Sequence, residues 1–288
     1  MKFLSSILFI GAFTGCTFDK PSEKEDHTFV SYLDIKIDSL GRPPEVPYTV
    51  DLQKNKKRLI VVGTLHSMNP DNPMFTKIEE IFNELNPEIT INEGGQVSKT
   101  FIDRDTAISS DGETGLLKFL CDKKGIKMLN GDMPESDEFY ELSKEFSQEE
   151  ALLFFASERF VLPYKYFNQT GNFDSLYEND FMKGYMEVNG IKLAPKEKTF
   201  SHYKMLYQKF FQLEFSMENI QPDNFSPIRK THPFCEIARA SKKTRDRYLA
   251  QQIESQLKQH DKVLVVFGAW HVLAIEPTLR QIINREDK

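Results

Sequence analysis

Apolar residues along this chain occur either as short unbroken runs or as stripes at helical spacing, and two of the runs resemble each other. Leu59-Ile60-Val61-Val62 leads into Gly63-Thr64-Leu65-His66, and Leu264-Val265-Val266-Phe267 leads into Gly268-Ala269-Trp270-His271. An unbroken run rich in β-branched residues reads as a strand buried on both faces. The Gly-x-x-His that follows reads as a sharp turn lifting a histidine over the sheet edge. Two such elements are either a shared functional site or simply two buried strands of one parallel sheet.

Between them a strand-helix-strand rhythm repeats. The alternating stretch Phe29 to Ile37 and the Pro-rich link Arg42 to Pro47 predict an edge strand or strap. Asn72-Pro73 is an N-cap followed by proline at the first helical position. The helix it opens runs to about Asn86, with Phe75, Ile78, Ile81, Phe82 and Leu85 on one face. A strand, Glu88 to Asn92, then ends in Glu93-Gly94-Gly95. A second helix, Gly115 to Lys124, is capped by Gly125 and followed by a strand, Ile126 to Leu129, that ends in Asn130-Gly131-Asp132. Such a rhythm predicts an α/β fold with a mostly parallel central sheet and covering helices. Parallel strands deliver their C-terminal ends to one edge, so His66, Glu93, Asp132 and His271 are expected there. Asp132 and Glu135 either belong to that edge or cap a helix at Ser136, the latter being the simpler role.

Residues 134 to about 232 break the rhythm and form a helical insertion. Ser147 to Glu150 and Ser175 to Glu178 have capping-box form. Aromatics from Phe154 to Phe215 crowd the segment, either as the core of a helical subdomain or as a lid over an apolar or peptide substrate. The last helix before the second run, about Ser241 to Lys258, buries Leu249, Ile253 and Leu257. It runs antiparallel to the strand it precedes, which sets Arg245 and Asp246 beside His271; the alternative for these two is a helix-end salt bridge.

Composition narrows the picture. A formal charge of −6 without a basic cluster argues against a nucleic-acid partner. Met1-Lys2, an apolar stretch from Phe3 to Phe13 and then Thr14-Gly15-Cys16 have the form of a secretory signal ending in a bacterial lipobox. On that reading residues 1–15 are removed, Cys16 is lipidated (palmitate), and the protein is anchored in the bacterial cell envelope, on its periplasmic side or outer surface. Ordinary signal cleavage with a free Cys16 is the alternative. Residues 16–27 are polar and charged, a flexible tether, and residues 28–288 are the folded domain. Nothing later is apolar enough to span a membrane. Cys121 and Cys235 are too few for a disulfide scaffold; Cys121 lies in an apolar run, as a core thiol would, and a bridge between the two is left open.

Two imidazoles, carboxylates and a guanidinium at one sheet edge suit metal-assisted or histidine-based hydrolysis. Imidazole and carboxylate are ligands for manganese, cobalt or zinc, and a metal-bound water is a usable nucleophile near neutral pH. A nearby arginine suits an oxyanion. The chain has no His-Glu-x-x-His, no Gly-x-Ser-x-Gly and no phosphate loop.

The ordered set Gly63-Thr64-Leu65-His66, Glu93, Arg245-Asp246 and Gly268-Ala269-Trp270-His271 resembles the TraB/PrgY and Tiki group, related in turn to erythromycin esterases and a haem-binding iron-regulated lipoprotein family. The resemblance implies two similar halves and, for Tiki-like members, divalent-metal-dependent peptide cleavage. It nominates His66, Glu93 and His271 as metal or catalytic residues and Arg245 as a catalytic assistant; Gly63, Gly268, Asp246 and Asp132 are expected to support them from the same edge. The substrate is then a peptide or small molecule with an ester-like bond. The competing class is a non-catalytic lipoprotein that binds haem or another small ligand, with an axial Tyr or His from the aromatic insertion.

Overall fold

The computed structural model describes residues 28–38, 43, 45–166 and 171–285. The signal-like residues 1–15, Cys16 and the tether to residue 27 lie outside the described residues.

A five-stranded sheet forms the middle layer, in the order β1-β2-β5-β3-β4. β2 (Lys57–Thr64), β5 (Lys262–Gly268), β3 (Ile89–Asn92) and β4 (Lys127–Asn130) are parallel neighbours. β1 (Tyr48–Lys54) pairs antiparallel with β2. The edge strand is therefore 48–54, not the alternating stretch further upstream, which runs as an irregular strap over 28–38.

Why the two central runs are unbroken becomes clear from the layers. Leu59 and Val61 of β2 face one side and Ile60 and Val62 the other, and both sides are covered. α8 (Phe234–Leu257) and α9 (Ala269–Arg285) pack Leu249, Ile253, Leu257, Ile275 and Leu279 against the first side. α1 (Pro73–Leu85) and α2 (Arg104–Lys124) pack Phe75, Ile78, Phe82, Leu116 and Leu117 against the second. Each such side chain removed from water stabilises the fold by about 1.5–3 kcal/mol. Asn72 caps α1, its side chain accepting from Met74 N–H with Pro73 next in the chain, as the sequence predicts.

α2 differs from expectation. It begins at Arg104 with Asp103 as N-cap, and it is broken at Asp111-Gly112, where Gly112 takes φ +56° and ψ −135°. A Cβ at Gly112 would lie 2.8 Å from the carbonyl oxygen of Ser67, so only glycine lets the kink approach the His66 loop. Cys121 is a free buried thiol on α2 and Cys235 another on α8, with no bridge between them.

The insertion is helical: α3 (Glu135–Glu145), α4 (Gln148–Ala156), a π-helical turn (Ser157–Val161), α5 (Leu162–Tyr166), α6 (Phe173–Ser175), a π-helical stretch (Leu176–Glu187) and α7 (Phe200–Phe211). The Ser147/Glu150 capping box is formed. Ser175 is not a cap: Asn172 caps α6, and Glu178 instead accepts the Phe200 N–H at 3.2 Å. Tyr177, Phe181, Phe200, Tyr203 and Tyr207 fill a core of their own. No helix among the described residues is long and apolar enough to cross a membrane.

Candidate functional site

Strand register brings the motifs together. Thr64 pairs with Gly268, and Asn92 pairs with Val266 on one side and Asn130 on the other. Glu93 consequently emerges beside Gly268 and takes its backbone N–H on Oε2 at 2.5 Å. Asp132, two residues past Asn130, accepts the Gly94 N–H at 2.7 Å. Arg245 Nη2, from α8, bridges the two carboxylates, 3.0 Å from Glu93 Oε1 and 2.5 Å from Asp132 Oδ1. Asp132 is thus tied to the sheet edge and does not cap a helix; Pro134 occupies the N-cap of α3.

The two Gly-x-x-His motifs end in different structures. After β2 the chain enters a loop, and His66 is exposed on it. After β5 the chain turns straight into α9, so His271 lies in the first helical turn and is 3% exposed. Neither glycine has a positive φ; what each supplies is the absence of a Cβ. At Gly63 a Cβ would lie 2.9 Å from Ala269 Cα, where α9 begins, and at Gly268 it would lie 2.8 Å from Glu93 Oε2.

Each histidine turns Nδ1 to a carboxylate. His66 Nδ1 bonds Glu113, a buried residue on the far side of the α2 kink. That bond, and then the Glu113 charge, push the His66 imidazole up to about 8. Burial pushes the Glu113 carboxyl up, but His66 outweighs it and holds the group below its ordinary value. His271 Nδ1 lies 2.5 Å from Asp246 Oδ1, and Nε2 lies 3.9 Å from Glu93 Oε1. Burial first, then the Arg245 and Lys242 charges, hold His271 well below the usual imidazole range. Burial also raises the Asp246 carboxyl. The hydroxyl of Tyr32 stands 3.1 Å from Asp246 Oδ2 and 3.2 Å from His271 Nδ1.

A cavity of about 330 Å³ opens over this edge, lined by His66, Glu93, Lys242 and His271 among polar groups and by Leu65, Ile228 and Trp270 among apolar ones. Arg245 stands behind Glu93 and is not among the lining residues. The insertion supplies the lining only through Ser226-Pro227-Ile228; its aromatics pack on one another, the subdomain-core reading and not the lid.

Sequence reading missed Tyr32, Glu113 and Lys242. Asp111-Gly112 interrupting an otherwise helical window was the signal available for Glu113. Tyr32 had none, since only the strap's path brings it in.

For a divalent metal, the donor types fit: with both Nδ1 atoms on carboxylates, Nε2 is the nitrogen left on each histidine, the arrangement metal-binding imidazoles use. As folded, no three His, Cys, Asp or Glu side chains among the described residues are gathered closely enough to hold an ion. No family model and no curated protein matches this chain.

Proposed function

We propose that this chain is a hydrolase of the TraB/Tiki kind, cleaving a peptide or ester-like bond. The observation that carries the reading is the pair of carboxylate-held histidines on one cavity, one exposed and one buried, an arrangement that raises the first imidazole and lowers the second. Groups whose environments push their pKa values apart take acid and base roles. His271, neutral, offers Nε2 to accept a proton from water at the sheet edge. His66, protonated below about pH 8, donates a proton to the leaving group. Glu93, held on both oxygens by Arg245 and Gly268, orients the water between them. The two similar halves of the family would correspond here to β2 with α1 and β5 with α9, each delivering one Gly-x-x-His.

Where a divalent ion is bound, His66 Nε2, His271 Nε2 and Glu93 Oε1 would hold it. Manganese, cobalt or zinc bound there would supply a more acidic water. The chain would act as a lipid-anchored envelope protein through Cys16.

The test is turnover of peptide and ester libraries by the full chain, metal-stripped and then supplied with manganese, cobalt or zinc. Loss in both His66→Ala and His271→Ala is expected, with calorimetric metal binding lost in the same variants. Intact turnover in either variant sinks the reading. A Soret band on haem addition without any turnover would place the chain in the ligand-capture class.

A further inference from the structure

Tyr32 reaches the site from outside every motif. Its strap lies across α9: Val30 N–H donates to Ala274 O at 2.9 Å, Thr278 Oγ1 donates to Thr28 O at 2.7 Å, and Gln281 Nε2 donates to Thr28 Oγ1 at 3.0 Å. Tyr32 and Ile35 pack with Ala274 and with the partly buried Trp270, Leu273 and Ile228. The phenol is 5% exposed, and its hydroxyl lies within 3.3 Å of both Asp246 oxygens as well as His271 Nδ1. Ring packing alone would not require the hydroxyl at this point.

A buried aspartate and histidine in contact have two neutral-imidazole arrangements. In one, the carboxylate accepts Nδ1–H and Nε2 keeps its lone pair. In the other, the carboxylic acid donates to Nδ1 and the proton sits on Nε2, facing the cavity. Only the first offers a base, and the choice follows from what else bonds the carboxylate. Burial favours the acid form of Asp246, which is 1% exposed. A hydroxyl donating to its oxygens favours the carboxylate. Tyr32 makes that bond, from a hydroxyl within 3.3 Å of both Asp246 oxygens.

Resting on the reading of His271 as the base, we infer that Tyr32 is a positioning residue: by donating its hydroxyl to Asp246 it holds His271 in the Nδ1–H tautomer with Nε2 free toward the cavity. Tyr32 lines this cavity and also a second one of about 510 Å³, which Phe29 to Ser31, Phe146, Thr244 and Asp246 line as well.

The experiment is 15N NMR of histidine side chains in the full chain, with Tyr32→Phe and Ile35→Ala beside it. Tyr32→Phe keeps the ring; Ile35→Ala loosens the strap and keeps the hydroxyl. The expected wild-type state at pH 7 has Nδ1 protonated and Nε2 bare on His271. Tyr32→Phe should move most of the population to Nε2–H and lower kcat by about 10- to 100-fold with KM unchanged, as loss of a group that orients a functional imidazole does. Ile35→Ala should leave the tautomer as it is. An unchanged tautomer in Tyr32→Phe, the same shift in Ile35→Ala, or a wild type resting in the Nε2–H form would each overturn the inference. Absence of turnover in the wild type overturns the hydrolase reading instead and leaves the tautomer result to decide the role of Tyr32.

Discussion

Glu93 and Arg245, 152 positions apart in the chain, stand 3.0 Å apart in the fold, and the same guanidinium nitrogen reaches Asp132 at 2.5 Å. One cation thus answers two carboxylates at the ends of neighbouring strands. Arg245→Met leaves both without it. Because Glu93 and Asp132 keep some solvent contact, the expected loss of stability lies at the lower end of about 3–5 kcal/mol, read by chemical denaturation. A loss below ~1 kcal/mol would mean that water compensates the carboxylates and that the bridge does not organise the edge.

His66 should titrate near pH 8, and Glu113→Gln should bring the midpoint back toward 6.5. Its folded pKa is raised, so the stability it contributes is fully present below about 6.5 and is lost as pH rises through about 8. Glu113 has the opposite sign: its pKa is lowered, so its contribution is lost as pH falls through the acidic range. The ion pair therefore stabilises between those limits. His66 is exposed, which makes the effect on stability small, and the NMR titration is the sharper measurement. A midpoint near 6.5 in the wild type would remove His66 as the proton donor.

For His271 the direction reverses. Its folded pKa is depressed, so stability is full above about 6.5 and declines as pH falls, because the unfolded chain takes up a proton that the folded one refuses. His271→Phe should flatten the decline between pH 6.5 and 5 in a series of denaturation curves. An equally steep decline in the variant would locate the acid sensitivity elsewhere.

The two motif glycines should respond differently to alanine. Gly63→Ala drives a Cβ into the backbone at Ala269 and should cost about 1–3 kcal/mol, with the site chemistry kept once folded. Gly268→Ala presses on the Glu93 carboxylate, so turnover should fall more than the melting temperature does. Equal effects of the two variants on turnover per folded molecule would refute the separate roles assigned to them.

The runs Leu59 to Val62 and Leu264 to Phe267 marked two-sided burial, because only a strand covered on both faces hides every successive side chain. Asn72-Pro73 and Gly125 marked helix ends, because their backbone and side-chain chemistry is local. Parallel topology then placed His66, Glu93, Asp132 and His271 at one edge. β1 carries a period of two, with Val50 and Leu52 buried between exposed Thr49, Asp51 and Gln53, that the sequence reading leaves unused, and α8 begins at Phe234, a turn and more before its expected start at Ser241.

Sequence alone therefore determined the four parallel strands and the edge to which the histidines come, consequences of patterns that repeat within a few residues. Tertiary structure decided who partners whom. Tyr32 meets Asp246 across 214 positions and Glu113 meets His66 across 47. A hydrogen bond needs its atoms near 3 Å. That precision comes from how the strap, the α2 kink and the α9 N-terminus pack against the sheet. The same packing raises one imidazole of a repeated motif and lowers the other, because burial and a neighbouring carboxylate set an imidazole's proton affinity, and neither is written in Gly-x-x-His.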